Sequence, residues 1–391
     1  MTNTKLLLSV AAASILAFNG CETVATPVIF TEGTGGTGTT PTTGTTPVKG
    51  YEVTGGAAPT VATGADITGE CNAGTTYAGT LSGKITTPMT LTSGNVYLLQ
   101  GKVEVSGTTL TIEDNVTIAG EAGTGDFTSY LIINKDGLLK AQGTAAKPIC
   151  FTSKTAQEGG VAQEGQWGGI TLIGTEEGND ELQGYEIDAS YVAGAGINDA
   201  SIMEYVAILN SGITMAEDKE INGLSMVGVT GGTFNHILVD SSDDDCIELW
   251  GGAATLSNIT VTNCTDDQFD IDDKYAGTVT NMLINQVSGN AGIEMSGTTH
   301  ATFDGLTINV ASSAKEGGIF FKKDGIGGNF NNLTLNYNVP ATNTYGAIYS
   351  SGAVDPDNIS FSNFAITANN LILVSGEEQG SIDILASELG I

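Results

Sequence analysis

Thr233-Phe234-Asn235-His236-Ile237-Leu238-Val239 decides the fold, because the chain keeps returning to it. It recurs as Thr255-Leu256-Ser257-Asn258-Ile259-Thr260-Val261 and as Thr278-Val279-Thr280-Asn281-Met282-Leu283-Ile284, with further copies starting at Thr302, Asn329 and Ser360. The starts lie 22, 23, 24, 27 and 31 residues apart. Apolar and polar residues alternate within each copy, as in a strand, and a strand repeated at this spacing reads as a coil. A second apolar pair follows each early copy, at Ile247/Leu249, Phe269/Ile271, Ile293/Met295 and Ile319/Phe321, so each coil holds at least two strands. Such a repeat cannot bury its own apolar side chains, so neighbouring coils must stack with parallel strands over one interior. The sequence thus predicts an all-β parallel β-helix, and no window carries the 3.6-residue apolar period of a helix.

The same alignment stacks carboxylates. Asp244 falls over Asp266, Asp245 over Asp267, and Glu248 over Asp270 and then Glu294. Glu248 lies between Ile247 and Leu249, so it points outward if they point inward. Stacked strands are about 4.8 Å apart, and like charges that close destabilise each other. A hard, oxygen-loving cation resolves this, and Asp244, Asp245, Glu248, Asp266, Asp267 and Asp270 are the expected ligands of Ca²⁺, with Glu294 a further one. The bland alternative is a set of solvated turn residues relieved by Lys274 and turn amides.

Composition narrows the partners. The formal net charge is −31 and all 13 basic residues are lysine. Nucleic-acid phosphates and anionic polysaccharides would be repelled unless a cation intervened. Of the five cysteines, Cys246 and Cys264 lie on adjacent coils and are the better disulfide candidates, while Cys150 reads as a structural thiol, free or paired. Trp167 and Trp250 read as core caps. Asn235, Asn258, Asn281, Asn332 and Asn363 recur near one frame position and suit an asparagine ladder that hydrogen-bonds turn backbone.

Ahead of the coils, Lys5 and an apolar run from Leu6 to Phe18 read as an export signal over residues 1–20. Gly20-Cys21 resembles the end of a bacterial lipobox, which implies lipid attachment at Cys21. Glu22, where aspartate would retain a lipoprotein in the inner membrane, points to the outer membrane of a Gram-negative bacterium. Residues 21–50, rich in Thr, Gly and Pro, read as a flexible tether, and 51–391 as one β-helix domain of on the order of a dozen coils.

Two resemblances bear on function. Asp243-Asp244-Asp245-Cys246-Ile247-Glu248-Leu249 resembles the Asp-Asp-Cys-Ile strand of polygalacturonase-type glycosidases, which implies a polysaccharide hydrolase with Asp244, Asp245 and Asp267 as its acids and base. That family supplies a His-Gly pair on the following coil and a later Arg-x-Lys. Here the next coil reads Asp266-Asp267-Gln268-Phe269-Asp270, and arginine is absent. The wider resemblance runs through Pro148 to Ser153, Gln166 to Ile170, Glu204 to Ile208, Ile221 to Leu224, Asp244 to Gly252 and Asp266 to Asp270. It is to uncharacterised bacterial surface lipoproteins with a pectin-lyase-like right-handed parallel β-helix, and it implies fold and location. The expected function is a non-catalytic surface protein whose acidic face holds calcium and meets a glycan or protein partner; the hydrolase is the alternative.

Overall fold

The computed structural model describes residues 48–49, 52–176, 188, 190–216, 219–311, 315–340, 345–369, 371–375 and 379–391. Cys21, the signal segment and the tether apart from Val48 and Lys49 lie outside the described residues. The chain winds into a parallel β-helix with three ladders of strands rather than two. The first ladder holds the short strands such as Ile247–Trp250, paired in register below with Leu224–Val227 and above with Phe269–Asp272. It climbs through eleven rungs among the described residues, from Gly83 to Ile85 up to Leu371–Ser375.

The repeated frame accounts for the other two. Each frame strand, such as Thr233–Ser242, bends at its fourth residue, and the two halves pair as separate ladders. The bend residues stack in register as Tyr205, His236, Asn258, Asn281, Gly305, Asn332 and Asn363. All have φ between +51° and +76°. Asparagine and glycine tolerate this left-handed conformation, which explains their recurrence. Histidine is enriched there too, whereas Tyr205 has no such preference; the Tyr205 and His236 rings stack with centroids 4.1 Å apart. The expected asparagine ladder is therefore corrected by one place: Asn235 precedes the bend and lies in register with Ser257, while Asn258, at the bend of the next coil, reaches back with Nδ2 donating to Asn235 Oδ1 at 2.7 Å. Asn281 Nδ2 in turn donates to Asn258 Oδ1 at 2.5 Å.

Alternation dictates the interior. Ile247, Leu249, Phe269, Ile271, Ile293 and Met295 point inward and are essentially inaccessible. The second frame residue adds an aromatic column in which Phe303, Phe330 and Phe361 stack at 5.2 and 4.9 Å. Each such side chain contributes roughly 1.5–3 kcal/mol by burial, so the stacked column fixes the register as well as the interior. Trp167 is buried and donates through Nε1 to the Leu209 carbonyl at 2.9 Å, and Trp250 packs in a satellite cluster with Tyr130, Ile173 and Ile221. Cys246 and Cys264 form a disulfide, and Cys150 pairs with Cys71.

Helix was not expected, yet Gln379–Leu389 is helical and packs over the last coil. Ser381, Leu385 and Leu389 recur every four residues on its buried side, and Gly390 at φ +70° ends it. The helix is short and its apolar signal is carried by few residues, which is why periodicity misses it. Glu52–Gly55 adds an antiparallel strand against the end of the last frame strand, and Val48–Lys49, which the sequence reading assigns to the tether, pairs antiparallel with Leu371–Ser375.

Candidate metal centre

The stacked carboxylates come together on the outside of the first ladder. Its outward column runs Ser225, Glu248, Asp270, Glu294, Phe320 and Tyr349, each in register with the next, so the alignment of Glu248 over Asp270 and Glu294 is the observed one. The acidic run begins above Ser225 and ends at Phe320. These carboxylates face away from the core but are not solvated: Glu248, Asp270 and Glu294 are only 7, 8 and 3% exposed. They line a groove of about 230 Å³ together with Asp245, Asp267 and Lys322.

A second column flanks the first, in the turn that leads into the ladder. Asp245 N donates to Asn222 Oδ1 at 3.1 Å, Asp267 N to Asp245 Oδ1 at 2.7 Å, and Ala291 N to Asp267 Oδ1. Each side chain thus ties the backbone of the coil above. One oxygen of Asp245 and one of Asp267 are committed to this ladder, which leaves the other of each for the groove. Asn222 also donates through Nδ2 to Glu248 Oε2.

Three groups of carboxylates have oxygens all within 4.8 Å of one another: Asp245, Glu248 and Asp270; Asp267, Glu294 and Glu316; and Asp244, Asp245 and Asp266. The six expected ligand residues are thus spread over all three groups: five fall in the two that share Asp245, and Asp267 falls in the third with Glu294 and Glu316. Two ionised carboxylates at that distance repel by roughly 3.5 kcal/mol at an effective dielectric of 20. Burial first, and then this crowding, push the Asp245, Asp267 and Asp270 carboxyls well above their ordinary range. At Asp245 the crowding comes from Glu248, Asp267, Asp270 and Asp244. Such a group favours the uptake of a proton or a cation.

Relief comes partly from residues that the sequence reading passed over. Lys322 Nζ lies 2.7 Å from Glu294 Oε1, and Lys323 Nζ 3.1 Å from Asp272 Oδ2. Both lysines are thus paired with acids that line the groove. Burial alone would lower the Lys322 ammonium, but Glu294, Asp270 and Asp267 hold it well above its ordinary range. It is therefore a fixed positive charge and unsuited to act as a base at neutral pH. Lys322 follows Phe321 in the repeat, so carrying the frame two coils past Asp270 would have reached it. Asn222 carries no such signal, because its coil precedes the first clear copy of the frame.

The fit to a divalent cation rests on donor chemistry. Asp270 Oδ1 and Glu294 Oε2 are buried and have no hydrogen-bond partner. A buried carboxylate oxygen without a donor is costly and suits a hard cation, which takes six to eight oxygens in flexible geometry. Glu294 already has its lysine, so the group of Asp245, Glu248 and Asp270 is the better cradle. Sequence comparison matches residues 83–379 to the family described as pectate-lyase like beta helix domain. No curated protein and no solved structure matches the chain.

Proposed function

Because the chain belongs to the pectate-lyase-like β-helix domain family, whose fold alone names no activity, we propose from the site that it is a calcium-holding, non-catalytic binding or structural protein of the bacterial surface. Asp245, Glu248 and Asp270 are the principal ligands, with Asp244, Asp266, Asp267 and Glu294 around them. The partnerless, buried Asp270 Oδ1 is the observation that carries this reading. When bound, the ion supplies the positive charge that lets the crowded carboxylates ionise together, and it would present a cationic point to a glycan or protein partner. Cys21 as the lipid-bearing residue and the outer membrane as the location complete the proposal.

Calorimetric titration with CaCl₂ tests it. Wild type should bind, and saturation 100-fold above Kd should stabilise the fold by about 2.7 kcal/mol, seen as a rise in melting temperature. Asp270→Asn should lose the binding and melt higher than wild type in chelator, since a buried charge is removed. Identical melting of wild type with calcium and with chelator would sink the reading.

The hydrolase alternative, with Asp244, Asp245 and Asp267 as acids and base, has one observation in its favour: the raised carboxyls of Asp245 and Asp267 suit a general acid. The commitment of one oxygen of each to backbone amides weighs against it. Release of reducing ends from neutral or acidic polysaccharides by wild type, lost in Asp245→Asn and Asp267→Asn, would favour the enzyme.

A further inference from the structure

The segment between Glu52 and Cys71 belongs to no coil. It begins against the last frame strand, with Glu52 paired to Thr367 and Gly55 to Phe364. From there Ala57 N donates to Asn363 Oδ1 at 2.9 Å, Ala62 N to Thr307 Oγ1 at 2.8 Å and Thr63 N to Asn281 Oδ1 at 2.7 Å. Ala65 N then donates to Thr260 Oγ1 at 2.9 Å, Asp66 N to His236 Nδ1 at 3.2 Å and Gly69 N to the Ala145 carbonyl at 2.8 Å. The run ends in the Cys71–Cys150 disulfide. As its own numbers rise, its partners' numbers fall, so the segment runs down the outside of the rod against the direction in which the coils climb.

The fit is close and without slack. From the Asn363 bend to the coil of Gly143, which hydrogen-bonds under Glu204, is seven strand steps, roughly 34 Å at 4.8 Å each. The eleven residue steps from Ala57 to Thr68 span at most about 36–40 Å fully extended. A Cβ on Gly64, at φ +68°, would lie 2.2 Å from Thr260 Oγ1 and 2.9 Å from Leu283 Cβ, so only glycine passes there. Ile67 is buried in a satellite cluster with Ala207, Leu209 and Leu238 on the outer side of the third ladder.

We propose that this segment is an orienting strap. Although the first coil is built from Tyr77–Ile85, the strap makes the chain ahead of Val48 leave the rod at the opposite end, beside the last coil and the helix Gln379–Leu389. Whatever holds the N-terminal segment then holds the rod by its C-terminal coil and presents the first coils, about 48 Å away at ten strand steps, outermost. The exit point is independent of the calcium reading and of the chemistry of any anchor.

Energy transfer in the full chain measures it. A donor is placed through an azide-bearing residue at Thr46, and an acceptor at Ser387 on the C-terminal helix or at Thr87 beside the first coil. Transfer should be several-fold more efficient to Ser387 than to Thr87; equal or reversed efficiencies overturn the proposal. In Gly55→Leu and Gly64→Leu combined with Cys71→Ser and Cys150→Ser, where the side chain at 55 would meet the Phe364 ring, the preference for Ser387 should fall while the strand circular dichroism remains. If that variant fails to fold, amide exchange in wild type decides: the Ala57, Thr63 and Ala65 amides should be protected as strongly as those of the coils beneath, and exchange at free-peptide rates overturns the strap.

Discussion

The bend column and the acidic groove are the same device built from different chemistry. Both stack polar side chains from successive coils about 4.8 Å apart, with Gly305 interrupting the bend column. At the bend column an amide carries both a donor and an acceptor, so Asn281 gives to Asn258, and Asn258 in turn to Asn235 just ahead of the bend, without any group from outside. In the groove an ionised carboxylate carries only acceptors, so Glu248, Asp270 and Glu294 have nothing to give one another. A ladder of amides is a structural element, whereas a ladder of carboxylates calls for something from outside. The groove meets the need in part with Asn222 below Glu248 and Lys322 against Glu294, and leaves Asp270 Oδ1 between them.

Breaking the amide stack should have the largest effect. Asn281→Val puts a β-branched residue at φ +51° and removes the acceptor for Thr63 N, and about 3 kcal/mol should be lost in urea unfolding. Asn281→Gly relieves the backbone and should cost clearly less.

The carboxylate stack should be broken in a different way, through Lys322. Lys322→Met leaves Glu294 buried against Asp267 and Glu316 without its counter-charge. With the lysine about half exposed, a loss of about 1–2 kcal/mol is expected by the same measurement, and it should shrink when calcium is present.

The smallest effect separates the two columns by pH. Carboxyls raised in the fold bind protons more tightly than in the unfolded chain, so as pH rises from their ordinary value near 4 through the raised range, stability is lost. Calcium-free protein should therefore melt higher at pH 5 than at pH 7.5, with the difference reduced in Asp245→Asn/Asp270→Asn, which keeps Asp267, and unchanged in Asn281→Gly. Below pH 4 the sign reverses, because Glu121, held low by its hydrogen bond from Lys154, loses its contribution on protonation.

Much of the first ladder was legible because its signals are local. Ile247 and Leu249 bracket Glu248, and the same bracket recurs around Asp270 and Glu294, so register and outward direction follow from alternation alone. The disulfide of Cys246 and Cys264 follows from the same stacking. The third ladder was hidden because the bend that separates it from the second leaves alternation nearly unbroken; only the asparagines mark it, and Tyr205 and His236 occupy the same conformation without resembling them. The strap was hidden for the opposite reason. Residues 52–71 carry no apolar period, and their partners lie as far off as Thr367, paired with Glu52, so nothing nearby in the sequence announces them.

That reach has a consequence for how the rod comes apart. Coils that touch only their neighbours can peel from either end one at a time, since each loss costs a single interface. The strap adds contacts along the whole rod, from the bond of Cys71 to Cys150 up to that of Ala57 to Asn363, so the last coil cannot fray without also loosening a segment pinned to the early ones. A linear array is thereby made to melt as a unit, and the loop that must close to achieve this, from Ala57 to Asn363, is among the latest and slowest steps of folding.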